Sequence, residues 1–208
     1  MLEENANKLV SPGRGILAAD ESTGTMSSRL QGVGVNPSEE ARRSYRANLF
    51  ATPGCEAAVS GVILYDETIR QMMDDGTAIP DYLMAQDVLP GIKVDTGAYP
   101  LANHDGEKIT EGLDGLRTRC MEYFNLGARF AKWRAVITIA DGTPSQACIS
   151  ANAHALARYS AICQEQGLVP IIEPEVLMEG NHDAARCYSV TAEILTATFA
   201  ACEDQGVH

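Results

Sequence analysis

No stretch of this 208-residue sequence approaches the roughly 18 consecutive apolar residues a membrane-spanning helix needs. The opening Met1-Leu-Glu-Glu-Asn-Ala-Asn-Lys8 is acidic and lacks an apolar centre, so it does not read as a secretory signal. An excess of positive charge is missing as well: 16 basic residues face 28 acidic ones, for a net charge of −12. That balance excludes the broad cationic face a duplex nucleic acid demands and disfavours adsorption to anionic lipid. A local cationic pocket remains compatible with it. Among the 6 cysteines no CxxC spacing occurs, which argues against a zinc site or a disulfide frame and for reduced, mostly buried thiols in a cytoplasmic protein. The 4 histidines (His104, His154, His182, His208) show neither HExxH nor paired spacing and read as loop or surface groups, so no metal is expected. The Asn36-Pro37-Ser38 triplet is disqualified for glycosylation by its proline. Gly13-x-Gly15-x-x-Ala18 imitates a dinucleotide fingerprint, but it enters a strand instead of leaving one to open a helix.

What is present is ordinary globular composition, 45% hydrophobic and 21% charged, enough for one sizeable core or most of a larger one. Short apolar runs alternate with longer helical stretches. Gly15–Asp20, Gly61–Tyr65, Gly91–Asp95, Ala128–Trp133 and Val169–Pro174 are brief and rich in Ile, Val or Ala, as strands covered on both faces should be. Trp133 is expected to pack as a strand residue. Asn36-Pro37-Ser38-Glu39 offers an N-cap, a first-turn proline and a following carboxylate, and Thr143-Pro144-Ser145-Gln146 repeats that grammar. The helix opened there carries Ile149, Leu156, Tyr159 and Cys163 on one face and stops at Gly167. A last helix from about Asp183 places Val190, Ile194, Ala197 and Ala201 on one face and halts at Gly206.

The order is βαβαβαβαβα with no internal linker, which predicts a single α/β domain over residues 1–208. Such alternation builds a parallel sheet, either open and doubly wound or part of a (β/α)8 barrel. Strand starts lie about 38 residues apart, so this length supplies 5 βα units where a closed eight-strand barrel needs roughly 300 residues. On this reading the barrel is incomplete.

Charges gather where these strands end. Asp20 closes the first, Lys93 and Asp95 the third, Lys132 and Arg134 the fourth, Glu173 and Glu175 the fifth. Side chains two apart on a strand share a face, so each pair can point into one space. Lysines among carboxylates suit carbonyl chemistry, because a lysine beside other cations loses basicity while a carboxylate moves protons. Arginine and lysine in an enclosed pocket also suit phosphate. The residues alone reach lysine-assisted chemistry on a phosphosugar.

Gly15-Ile-Leu-Ala-Ala-Asp-Glu-Ser-Thr-Gly24, Gly61-Val-Ile-Leu-Tyr65, Gly91-Ile-Lys-Val-Asp95, Ala131-Lys-Trp-Arg134, Leu156-Ala-Arg-Tyr159 and Val169-Pro-Ile-Ile-Glu-Pro-Glu175 resemble, in order and spacing, the class I fructose-bisphosphate aldolases. The match runs from about Val10 to the last residue. The resemblance implies a (β/α)8 TIM barrel and reversible, metal-free and cofactor-free cleavage of fructose 1,6-bisphosphate to dihydroxyacetone phosphate and glyceraldehyde 3-phosphate through a lysine Schiff base, as in glycolysis and gluconeogenesis. It implies that Asp20 assists C–C cleavage, that Lys132 polarises the intermediate and that Glu173 is the acid/base of Schiff-base formation. Ser22, Lys93 and Arg134 would hold substrate oxygens, and Arg29 and Arg42 match positions that contact substrate phosphate. It further implies a homotetramer for the full-length form.

One family motif has no counterpart here. The Schiff-base lysine sits in a Leu-Leu-Lys-Pro context on the sixth strand, and this sequence reaches Gly206-Val207-His208 where that strand is expected. Lys93 and Lys132 carry other duties in the family. Two expectations follow: part of a working lyase, or a shortened, non-catalytic relative serving as a binding or interaction subunit. The 208 residues alone are expected to be poorly soluble, with strand edges uncovered.

Overall fold

The computed structural model describes every residue from Met1 to His208. In chain order the elements are α1 (Leu2–Leu9), β1 (Gly15–Ala19), α2 (Thr23–Gly32), α3 (Glu39–Phe50), α4 (Cys55–Ala58), β2 (Val59–Leu64), α5 (Asp66–Ile69), α6 (Ile79–Ala85), β3 (Leu89–Lys93), β4 (Gly97–Pro100), β5 (Lys108–Glu111), α7 (Leu116–Asn125), β6 (Phe130–Ile137), α8 (Gln146–Glu165), β7 (Val169–Val176) and α9 (Ala184–Asp204). None of the helices is long and apolar enough to cross a membrane.

β1, β2, β3, β6 and β7 form a 5-stranded sheet in that order. Pairing of β1 with β2 and of β2 with β3 is parallel. The later neighbours also advance together: Arg129 N donates to Pro90 O at 2.8 Å and Val94 N to Lys132 O at 3.0 Å, then Val169 N to Arg129 O at 3.1 Å and Leu177 N to Ile137 O at 2.9 Å. All five expected strands are present, and the fold is the expected α/β arrangement, five βα units of a (β/α)8-type barrel. β1 and β7 each have one neighbour, so the barrel is incomplete.

The structure adds one unforeseen element and corrects two local expectations. Between β3 and α7 lies an antiparallel hairpin, β4 with β5, registered Gly97↔Glu111 to Pro100↔Lys108. Its strands are 4 residues each and mix Pro, Lys and Glu, so no apolar alternation announces them. In both Pro-Ser segments the serine is the cap, not the residue before proline. Ser38 Oγ accepts from Ala41 N at 3.0 Å and Ser145 Oγ from Cys148 N at 3.2 Å. The helices begin at Glu39 and Gln146, so Asn36 and Thr143 lie two residues before the cap, and it is the extended serines whose hydroxyls reach the free N–H groups of the first turn. On α9 the buried row is Val190, Ile194, Thr198 and Cys202. A strict four-residue step keeps these side chains in line, and Ala197 and Ala201 sit half-buried at its flank.

The chain packs as two compact units, each gathered from 3 separate segments, so neither could be cut out at a linker. Unit 1 comprises Met1–Lys93, Met121–Ala131 and Gly167–Val169. Its core places the Phe130 ring against the glycines of β2 and β3. A Cβ on Gly61 would come within 2.6 Å of Leu9 and 2.9 Å of that ring, and one on Gly91 within 2.2 Å of it. Only a residue without a side chain lets the aromatic approach so closely. Unit 2 comprises Val94–Cys120, Lys132–Gln166 and Pro170–His208. There Ile137, Ile139, Cys148, Ile149, Val190 and Ile194 make one buried cluster where β6, α8 and α9 meet. Trp133 is fully buried and stacks on Tyr159 at 5.5 Å between ring centroids, as a packing strand residue.

Candidate active site

β6 and β7 present their charges in the two-residue rhythm of extended chain. Along β6 the even positions Lys132 and Arg134 are half-buried while Ala131, Trp133 and Ala135 turn into the core. Glu173 and Glu175 repeat the spacing on the neighbouring β7. The strands thus lay two cations beside two carboxylates. Lys132 Nζ lies 3.0 Å from Glu173 Oε2, with its side chain 13% exposed. Arg134 Nε pairs with Glu175 and stands 4.0 Å from Glu173 Oε1. The Glu175 hydrogen bond, more than any other influence, raises the Arg134 pKa above its usual value. Asp95 joins the group through the backbone, its Oδ2 accepting from Arg134 N at 3.3 Å and its Oδ1 from Gly97 N at 3.1 Å.

Two further residues brace this patch. Thr110 on β5 donates its hydroxyl to Arg134 O at 2.8 Å, and the buried Tyr159 on α8 donates to Ile171 O at 3.1 Å. Thr110 carries no sequence signal of function, and Tyr159 is marked only as part of an apolar helix face and a family-like block; each acts on backbone that packing alone brings to it. The hairpin is therefore a support for the Arg134 end of β6.

Unit 1 holds the other expected residues. Asp20 ends β1 and is buried, Lys93 ends β3 half-buried, and Ser22 caps α2, its Oγ accepting from Thr25 N at 3.3 Å. Arg29 is exposed and pairs with Glu21. Arg42 is buried, unlike a solvated helix arginine. Its fork is filled by Glu67, with Nε to Oε2 at 2.9 Å and Nη2 to Oε1 at 2.6 Å, and Nη1 reaches Ser27 Oγ at 3.3 Å. That hydrogen-bonded pairing raises the Arg42 pKa and lowers that of Glu67.

Beside it stands a residue the sequence reading does not single out. Arg46 has no exposed surface; Nη1 donates to Thr68 Oγ1 at 2.8 Å and Nη2 to the Glu21 backbone oxygen at 2.5 Å. Burial lowers its pKa, opposed mainly by the charge of Glu21, whose carboxylate is 3.6 Å away. The turn carrying Asp20 and Ser22 thus rests on a buried guanidinium. The only signal was spacing: Arg42, Arg46 and Phe50 share the inward face of α3 at four-residue steps.

A parallel sheet of βα units whose strand ends carry lysine, arginine and carboxylates has the architecture of a barrel-type α/β enzyme scaffold. The family model described as "Fructose-bisphosphate aldolase class-I" matches residues 1–208. A probable class 1 fructose-bisphosphate aldolase of Xanthomonas campestris is 56% identical over 206 residues, covering 99% of this chain and 62% of that protein. The cytosolic fructose-bisphosphate aldolase 6 of Arabidopsis thaliana is 53% identical over 203 residues, covering 98% of this chain and 57% of its own. Among solved structures, the Plasmodium falciparum aldolase in complex with TRAP and a small-molecule inhibitor superposes with a TM-score of 0.96 at 45% identity, over 99% of this chain and 60% of that one. The chain belongs to the class I fructose-bisphosphate aldolase family. It spans about three fifths of the length of these relatives.

Proposed function

We propose that this chain supplies the first five βα units of a fructose-bisphosphate aldolase, and with them the proton-handling and phosphate-facing half of its site. The observation that carries the proposal is the Lys132–Glu173 pair at 3.0 Å on neighbouring strands, flanked by Arg134 and Glu175. An ammonium and a carboxylate this close exchange a proton without rearrangement, which both formation and hydrolysis of a Schiff base require. In this reading Glu173 shuttles the proton, Lys132 polarises the developing charge and Asp20 takes the proton of the hydroxyl at the bond that breaks. Ser22, Lys93, Arg134 and the exposed Arg29 hold substrate oxygens. Arg42, engaged by Glu67, contributes to phosphate recognition only if that fork opens. The nucleophilic lysine comes from a sixth strand outside these 208 residues. Cytoplasmic residence and a homotetrameric full-length form belong to the same proposal. Exposed Tyr188 and Phe199 on α9 offer apolar area for assembly or for further chain to cover.

Borohydride trapping with dihydroxyacetone phosphate, followed by peptide mass spectrometry, tests the assignment. The chain by itself should give no adduct. A form continued through a Leu-Leu-Lys-Pro strand should give one at that lysine, and Lys132→Met in that form should slow cleavage by about 10² to 10⁴-fold, the usual worth of a proton-transfer group. An adduct on Lys93 or Lys132 would overturn the roles given to them.

A further inference from the structure

Two buried thiols in unit 2 take no part in the chemistry above. Cys120 on α7 and Cys163 on α8, 43 positions apart, place their sulfurs 3.8 Å from each other, and neither has exposed surface. The other four cysteines are engaged differently or stand apart. Cys148 faces Lys108 O and Asn152, Cys202 is buried on α9, and Cys55 and Cys187 are partly exposed. The two sulfurs are in van der Waals contact. A disulfide needs about 2.0 Å between sulfurs, so closure asks for an approach of about 1.8 Å from the 3.8 Å contact.

We propose that Cys120 and Cys163 are a modification site, a dithiol that hydrogen peroxide converts to a reversible disulfide tying α7 to α8. The two thiols are unequal, which fixes the order of steps. The sulfur–sulfur contact with Cys163, in which either thiol can donate, and the charge of Arg119 hold the Cys120 thiol below its ordinary pKa despite burial. Burial pushes Cys163 well above. Cys120 is therefore the thiolate that attacks. Its sulfur takes one oxygen of the peroxide, the O–O bond breaks, and the other oxygen leaves as hydroxide, giving a sulfenic acid on Cys120. The Cys163 sulfur then attacks the sulfenic sulfur. The S–S bond forms, the S–O bond breaks, and the departing hydroxide takes the Cys163 proton as water. In sum two thiols lose two electrons and two protons, and the peroxide is reduced to two waters. Arg119, beside Cys120, donates to Val94 O at 2.8 Å and also to Gly112 O, so the bridge fastens the helix that holds both ends of the β4–β5 hairpin. Because both sulfurs are covered, oxidation waits on local opening and is slow compared with a surface thiol.

The test treats the native 208-residue chain with hydrogen peroxide, digests it without reduction and maps the peptides by mass spectrometry, beside a sample oxidised in concentrated urea. The expected product is one peptide pair joining Cys120 to Cys163, two hydrogens lighter than its thiol form and restored by dithiothreitol. In urea the pairing should spread over the other cysteines. In Cys163→Ser, which keeps the fold's packing nearly unchanged, dimedone should capture a sulfenic acid on Cys120. The proposal is overturned if both thiols are recovered free from the native sample, if the bridge is no more selective there than in urea, or if dimedone labels a different cysteine in the variant.

Discussion

A guanidinium with no exposed surface lies under the turn that follows β1, and its donors go to Thr68 Oγ1 and Glu21 O. Replacing it with an apolar side chain of similar length strands an acceptor on each side and leaves Glu21 with only the exposed Arg29 as counter-charge. Arg46→Met should therefore cost about 3–5 kcal/mol, the range for removing one partner of a buried ionic pair, read from the urea midpoint. A midpoint unchanged within about 0.5 kcal/mol would place the weight of this turn elsewhere. The neighbouring Arg42–Glu67 pair makes a pH prediction. The Arg42 hydrogen bonds hold the folded Glu67 pKa below its ordinary 4.5, so the unfolded chain takes up its proton first as acid is added. The stabilisation is complete above 4.5 and is lost as pH falls through the lower, folded value. Glu67→Gln should flatten the stability profile in that acid window and leave its slope near neutrality untouched. Lys132, Arg134, Glu173 and Glu175 were legible in the sequence because each pair lies two apart on one strand. Arg46 and Glu67 were not, since their partners lie 22 and 25 positions away and only packing joins them.

At the scale of elements, the start of α8 shows how the hairpin does more than fill a loop. Glu107, between β4 and β5, is buried and accepts from Ser145 N and Ser145 Oγ, both at 2.6 Å, while Ser145 Oγ itself accepts from Cys148 N. A carboxylate thus stands at the N-terminus of a 20-residue helix, where the dipole favours negative charge. Ser145→Ala should cost about 1–2 kcal/mol by loss of the cap and of its bond to Glu107. Glu107→Ala should add to that loss less than the sum of the separate effects, because the two side chains share one network. Strict additivity in a double-mutant cycle would show that they act independently. Five strands and the long helices were readable from apolar run lengths and from the Pro-Ser punctuation. The hairpin was not, because its short strands are specified by Glu107 at the α8 cap and Thr110 at β6, contacts that a periodicity search does not see.

For the whole molecule the decisive contest is between open sheet edges and net charge. β1 has a neighbour on one side only, and Ile16 on it is 37% exposed; β7 is half-buried along all 8 residues. Unpaired parallel edges offer backbone donors and acceptors to another chain, and Tyr188 and Phe199 on α9 add apolar surface at 78% and 68% exposure. Against this stands a net charge of −12, which repels like chains over a distance set by salt, about 10 Å at 0.1 M and about 3 Å at 1 M. The repulsion is long-ranged and screened, whereas edge pairing and apolar contact are short-ranged and are not. Association of the 208-residue chain should therefore rise as salt is added, the opposite of what ion pairing between chains would give. Light scattering behind a sizing column, run from low to high salt, reads the difference directly. Ile16→Lys, which puts a charge on the β1 edge, should shift the onset to higher salt, and a Tyr188→Glu, Phe199→Glu pair should do so independently. If the unmodified chain stays a single monomeric species across the whole range, with one sharp cooperative melt, then these edges are closed by something other than charge.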